Sequence, residues 1–72
     1  PVELSLKTID TINKTGIIEI NTTQFLADFW LYSMELGVRF DKNFIQLLPG
    51  RHTIKISFEK IPELSDFGFK YR

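Results

Sequence analysis

Alternating apolar and polar residues predict β-strands along most of the chain. Residues 2–7 carry apolar side chains at even positions and polar ones at odd positions, the period of two that is typical of a half-buried strand. Three further runs show the same pattern, at residues 16–21, 53–59 and 67–71. The positions we expect inside a core are Ile18, Ile20, Ile54, Ile56 and Phe58.

Two connections between these runs carry turn residues. Residues 10–14 include Asn and Lys and are followed by Gly16, which predicts a turn between the first two strands. Pro49 and Gly50 predict a type II turn, because proline fixes φ at the second turn position and glycine accepts the positive φ of the third. We expect His52, the only histidine, to flank this turn.

Residues 25–34 fit either a helix or a strand by periodicity. A helix would group Phe25, Phe29 and Tyr32, whereas a strand would separate two faces. One face would hold Phe25, Ala27, Phe29 and Leu31, and the other Leu26, Asp28, Trp30, Tyr32 and Met34. The aromatic content favours a strand. Several short strands at regular spacing then predict an all-β fold, an immunoglobulin-like antiparallel β-sandwich of about six or seven strands.

Length and composition restrict the partners and the chemistry. The 72 residues form one domain, and a hydrophobic content of 43% argues against disorder. Nine basic and nine acidic residues cancel without a basic stripe or a basic amphipathic face, so we predict neither nucleic acid nor membrane as a partner. With no cysteine and a single histidine, we expect no metal, no cofactor and no catalytic residue.

Trp30 and Tyr32 are the candidate contact residues. If Phe29 and Leu31 face the core, these two aromatic side chains project from the opposite face of the strand. They could then contact a neighbouring domain, or stack on a sugar ring with Asp28 or Arg39 supplying hydrogen bonds. With the opposite parity they would be ordinary core residues. Asp28 could also pair with a basic residue on a neighbouring strand.

One segment resembles a known family. Residues 40–50 are Phe-Asp-Lys-Asn-Phe-Ile-Gln-Leu-Leu-Pro-Gly, in which an Asn and two bulky apolar residues precede a Leu-Leu-Pro-Gly turn. This resembles the C-terminal immunoglobulin-like domain of β-mannosidases of glycoside hydrolase family 2. The preceding run at residues 25–31 and the following one at 53–58 are also similar to that domain, so the resemblance covers about residues 2–60.

The resemblance implies a non-catalytic accessory domain from the C-terminal part of a larger multidomain glycosidase. The start at Pro1, inside a strand pattern, also leads us to expect a fragment of a longer chain. The parent would be a retaining hydrolase of terminal β-mannosides, whose (β/α)₈ barrel requires about 250 residues, and this domain would contact its other domains. Two alternatives remain open: a carbohydrate-binding module that uses Trp30 and Tyr32, and a generic adhesion or scaffold domain.

Overall fold

Seven strands form two antiparallel sheets in a computed structural model that describes residues 1–72. The strands are β1 (Val2–Asp10), β2 (Thr15–Thr22), β3 (Leu26–Ser33), β4 (Arg39–Phe40), β5 (Ile45–Leu47), β6 (Gly50–Ser57) and β7 (Phe67–Lys70). A 3-10 turn, Leu64–Asp66, is the one helical element, and no helix could span a membrane. The four-stranded sheet has the order β1-β2-β6-β4 and the three-stranded sheet the order β5-β3-β7. The predicted all-β sandwich is confirmed.

The core lies between the two sheets. The four-stranded sheet contributes the alternating residues predicted from the sequence, and Phe58 follows β6 into the same interior: Ile18, Ile20, Ile54, Ile56 and Phe58 are all buried. The three-stranded sheet contributes Leu26, Phe29, Leu31 and Leu47. Burying each such side chain stabilises the fold by about 1.5–3 kcal/mol. These nine residues therefore hold the two sheets together.

A hydrogen-bonded turn joins β1 to β2. The Asp10 carboxylate accepts backbone hydrogen bonds from Ile12 and Asn13, each at 3.0 Å, and a side-chain hydrogen bond from Asn13 at 2.8 Å. The backbone and side-chain donors of Asn13, with that of Ile12, favour the charged form and lower the pKa of Asp10. The turn therefore lies where the sequence predicts it, although β1 continues past residue 7 to reach Asp10.

A β-bulge in β3 changes which residues face the core. Leu26 pairs with Leu47 and Phe29 pairs with Ile45, so two residues of β3 lie opposite one residue of β5. The bulged Asp28 has a φ of 50°. The prediction for residues 25–34 was therefore right about the strand and wrong about its parity before residue 28. Leu26 is buried beside Phe29, whereas Phe25 is 53% exposed.

The connection at Pro49 and Gly50 carries the chain from one sheet to the other. Gly50 has a φ of 130°, a positive value that favours glycine, and β6 begins at this residue. The carbonyl of Leu48 accepts a hydrogen bond from Nε2 of His52 at 2.6 Å instead of the backbone bond of a type II turn. His52 thus flanks this connection as predicted. The predicted type II turn is wrong, because the chain bends at Pro49 without a regular β-turn.

Candidate functional site

An aromatic cluster lies on the outer face of the three-stranded sheet and consists of Trp30, Tyr32 and Phe44. Because Phe29 and Leu31 are buried, the alternate residues Trp30 and Tyr32 of β3 point outward. The Trp30 ring stacks on Phe44 with centroids 5.5 Å apart and planes 22° apart. Its centroid also lies 5.8 Å from that of Tyr32. This geometry excludes the interpretation of Trp30 and Tyr32 as core residues.

A lysine completes one side of the cluster. Lys70 of β7 lies directly opposite Trp30 in the antiparallel register, and its Nζ is 5.8 Å from the centroid of the Trp30 ring. A cation–π contact of this kind at an exposed site contributes about 0.5–1 kcal/mol. Trp30 is therefore held between Phe44, Tyr32 and Lys70, and its side chain has a defined position on the sheet.

Phe44 is the most exposed member of the cluster. Its side chain is 67% exposed and its φ is 54°. A bulky residue in the left-handed region is uncommon, and such a conformation costs on the order of 1–3 kcal/mol. Two neighbours hold Phe44 in this backbone conformation. The Phe44 ring stacks on Trp30, and the preceding residue, Asn43, is fixed to β3 by its side chain.

The side chain of Asn43 makes the two hydrogen bonds to β3 that the backbone of a neighbouring strand would otherwise make. The pairing of Phe29 with Ile45 puts position 43 opposite Leu31 in the same register. The Leu31 N–H donates to Asn43 Oδ1 at 2.8 Å, and Asn43 Nδ2 donates to the Leu31 carbonyl at 2.9 Å. The amide side chain thus completes the edge of β3 where β5 has not yet begun. The backbone of Asn43 is left free to place Phe44 over Trp30.

Polar side chains border the cluster at the bulge. Asp28 Oδ2 lies 3.3 Å from Nε of Arg72, and Gln46 exchanges two hydrogen bonds with Asp28, each at 3.3 Å. Asp28, Lys70, Tyr71 and Arg72 line an open concavity together with Trp30 and Phe44. Asp28 thus pairs with a basic residue, but Arg72 follows the end of β7 and does not belong to a neighbouring strand as expected. The border offers both donors and acceptors of hydrogen bonds.

Tyr32 lies flat on the sheet because its cross-strand partner is a glycine. Gly68 of β7 is directly opposite, and a Cβ there would collide with the Tyr32 ring. An aromatic ring over a glycine on the neighbouring strand protects the backbone and fixes the register. Tyr32 therefore extends the apolar surface sideways toward β7, with 36% of its area exposed.

The structure does not bring Arg39 to this cluster. Arg39 lies on β4, at the edge of the other sheet, opposite Ser57. The cations that border the cluster are Lys70 and Arg72, which the sequence analysis missed. The alternation in residues 67–71 places Lys70 on the outward face, but the sequence carries no signal that β7 pairs with β3.

The aromatic cluster and its polar border can bind another molecule through apolar contact and hydrogen bonds. Phe44 and Trp30 present an apolar surface, and Asp28, Gln46 and Arg72 supply hydrogen-bonding groups at its border. No group of three or more His, Cys, Asp or Glu side chains could hold a metal ion. The lowered pKa of Asp10 has its cause in the turn between β1 and β2, away from the cluster.

Comparison of the chain with family models, curated proteins and solved structures gave no match. The fold defines an all-β protein of two antiparallel sheets. The similarity to the β-mannosidase domain rests on the residue pattern of the sequence alone.

Proposed function

We propose that this chain is a non-catalytic accessory domain that packs against a neighbouring domain through the outer face of its three-stranded sheet. The observation that carries the proposal is the exposed aromatic cluster, in which Phe44 is held at positive φ with 67% of its area exposed. Aromatic residues are enriched at protein interfaces, where their large area is removed from water. A strained backbone that displays an aromatic ring is consistent with selection for contact.

The resemblance in residues 25–58 supports a particular kind of parent protein. It is a β-mannosidase-like glycoside hydrolase of family 2, which removes terminal β-mannosides with retention. Such a reaction uses two carboxyl groups about 5–5.5 Å apart in a barrel outside this domain. Phe44, a member of the aromatic cluster, and Asn43, whose side chain bonds to Leu31 of β3, both lie in the resembling segment. The domain would stabilise the assembly of the parent chain.

Hydroxyl-radical footprinting tests the packing role. The oxidation rates of Phe44 and Trp30 are compared between residues 1–72 alone and the longest chain encoded by the same reading frame. We expect both rates to fall several-fold in the longer chain, because the neighbouring domain covers the cluster. Ile12, which is 90% exposed in the turn after β1, serves as the control and should not change. Equal oxidation of Phe44 in the two proteins contradicts the packing role.

Carbohydrate binding is a second candidate, and the polar border of the cluster favours it. An apolar surface bordered by Asp28, Gln46 and Arg72 has the elements that sugar recognition uses, namely a ring to stack on and side chains that bond hydroxyl groups. An NMR titration with manno-oligosaccharides separates the two functions. Saturable shifts at Trp30 and Phe44 that disappear in Phe44→Ala support sugar binding, whereas no shift at millimolar ligand rejects it.

A further inference from the structure

The four-stranded sheet extends beyond the three-stranded sheet at one edge of the sandwich. The four-stranded sheet ends at β1 and the three-stranded sheet ends at β7. The 3-10 turn Leu64–Asp66 lies against β1 and leads directly into β7, so these two edge strands lie on the same side of the molecule. The three-stranded sheet is therefore one strand narrower than the sheet that it covers.

The burial of β1 reflects this difference in width. Leu4 and Leu6 pair with Ile20 and Ile18 and share their inward face. Ile18 and Ile20 are fully buried, whereas Leu4 and Leu6 are only half-buried, as is Val2 at the start of the strand. The inner face of β1 is thus a row of apolar side chains that the opposite sheet covers incompletely.

The outer edge of β7 carries unpaired backbone groups. The Met34 N–H donates to the carbonyl of Asp66 at 2.7 Å. In an antiparallel ladder the backbone groups of every second residue face the same neighbour, so those of Gly68 and Lys70 also point toward β3. Phe67, Phe69 and Tyr71 alternate with those residues, so their backbone groups point away from β3. The Phe67 N–H closes the 3-10 turn on Leu64. Because β7 pairs only with β3, the Phe67 carbonyl and both backbone groups of Phe69 and Tyr71 have no strand partner, and no turn or loop hydrogen bond uses them.

We propose that the outer edge of β7 accepts one extended polypeptide segment from outside these 72 residues, with apolar side chains at every second position. The unpaired groups recur every second residue, about 6.8 Å apart, and only an extended chain matches that spacing. On the inner face the segment would cover Leu4 and Leu6 of β1. Its alternate residues would face outward beside Gly68 and Lys70, and should be polar.

The unequal widths of the two sheets disfavour antiparallel pairing with a second copy of this chain. If two β7 edges paired antiparallel with their four-stranded sheets on the same side, the β1 strands of the two copies would collide, because the four-stranded sheet is one strand wider there. A single strand has no second layer and avoids this collision. Edge strands of this type are sites of strand addition unless they are covered. This inference depends on the backbone edge and on β1, and not on the aromatic cluster.

A fusion protein tests the proposal. The segment Lys-Val-Thr-Val-Glu-Val-Lys is attached after Arg72 through a Gly-Ser linker of about eight residues, which gives it a millimolar effective concentration and allows either strand direction. The control fusion carries the same residues with the three valines adjacent. Amide hydrogen exchange by NMR is measured for Phe69 and Tyr71, with Lys70, which bonds to β3, as the internal reference.

We expect the alternating segment to slow exchange at Phe69 and Tyr71 by at least about tenfold relative to Lys70, and to raise the unfolding temperature above that of the control fusion. Tyr71→Pro in the fusion removes one outward N–H and should abolish most of this gain, whereas Tyr71→Ala should retain it. If Phe69 and Tyr71 exchange as fast in the alternating fusion as in the control, the proposal is wrong. It is equally wrong if the alternating fusion is unfolded. If the control fusion is unfolded and the alternating fusion folds with both amides protected, the proposal is supported.

Discussion

Replacement of Asn43 by alanine should remove much of the stability of this domain. Leu31 is 2% exposed, and its backbone N–H and carbonyl on the β5 side are both bonded to the Asn43 side chain. A buried polar group left without a partner costs about 1–3 kcal/mol, less where water can reach the sheet edge. We therefore expect Asn43→Ala to lower the free energy of unfolding by about 2–4 kcal/mol. A single core of this size rarely supplies more than about 3–5 kcal/mol, so the variant should keep only a small residual stability at 25 °C.

Urea unfolding followed by far-ultraviolet circular dichroism measures this loss directly. Asn21→Ala is the matched control, because that amide makes one hydrogen bond to Glu19 on the sheet surface, at 3.1 Å. Asn43→Asp gives a second comparison: it retains the acceptor for the Leu31 N–H but places a carboxylate against the Leu31 carbonyl, so it should destabilise the fold at neutral pH. If Asn43→Ala lies within about 0.5 kcal/mol of Asn21→Ala, the strand-replacing role of Asn43 is refuted.

Three further predictions concern the connections and the core. Gly50→Ala should lower the free energy of unfolding by about 1–3 kcal/mol in thermal melts, because its φ of 130° strains any residue with a Cβ. Asp10→Asn should destabilise the fold at neutral pH. Because the folded pKa of Asp10 is lowered, its stabilisation is present above the unfolded pKa and lost as pH falls through the folded pKa, so the two proteins should converge in acid melts. Ile54→Ala should cost about 2–5 kcal/mol in urea unfolding, whereas Ile12→Ala, at a 90% exposed site, should change little.

The sequence predicted the parts of the fold that depend on local alternation. The strands around Ile18, Ile20, Ile54 and Ile56 were predicted because a period of two over six or more residues has one interpretation, a strand with one buried face. Gly50 was predicted to adopt a positive φ because proline precedes it in a turn context. These features require only neighbours in sequence.

The features that were missed depend on contacts between distant residues. The bulge at Asp28 arises from the pairing of β3 with β5, and it moves Leu26 to the core in a way that no count of alternating positions reveals. The hydrogen bonds from the Asn43 side chain to the backbone of Leu31 depend on the register that places the two residues opposite each other. Arg39 was considered as a hydrogen-bonding partner beside Trp30 and Tyr32, yet its strand joins the other sheet.

The measurement that tests the proposed accessory role most directly is the sequence of the reading frame upstream of the codon for Pro1. We expect it to continue through several hundred codons and to encode a (β/α)₈ barrel, which requires about 250 residues, with two glutamates at the carboxyl ends of barrel strands. The encoded protein should then hydrolyse terminal β-mannosides. An upstream frame that stops close to Pro1, or that encodes only further β-sandwich domains, contradicts the glycosidase connection and leaves the aromatic cluster around Phe44 in need of another partner.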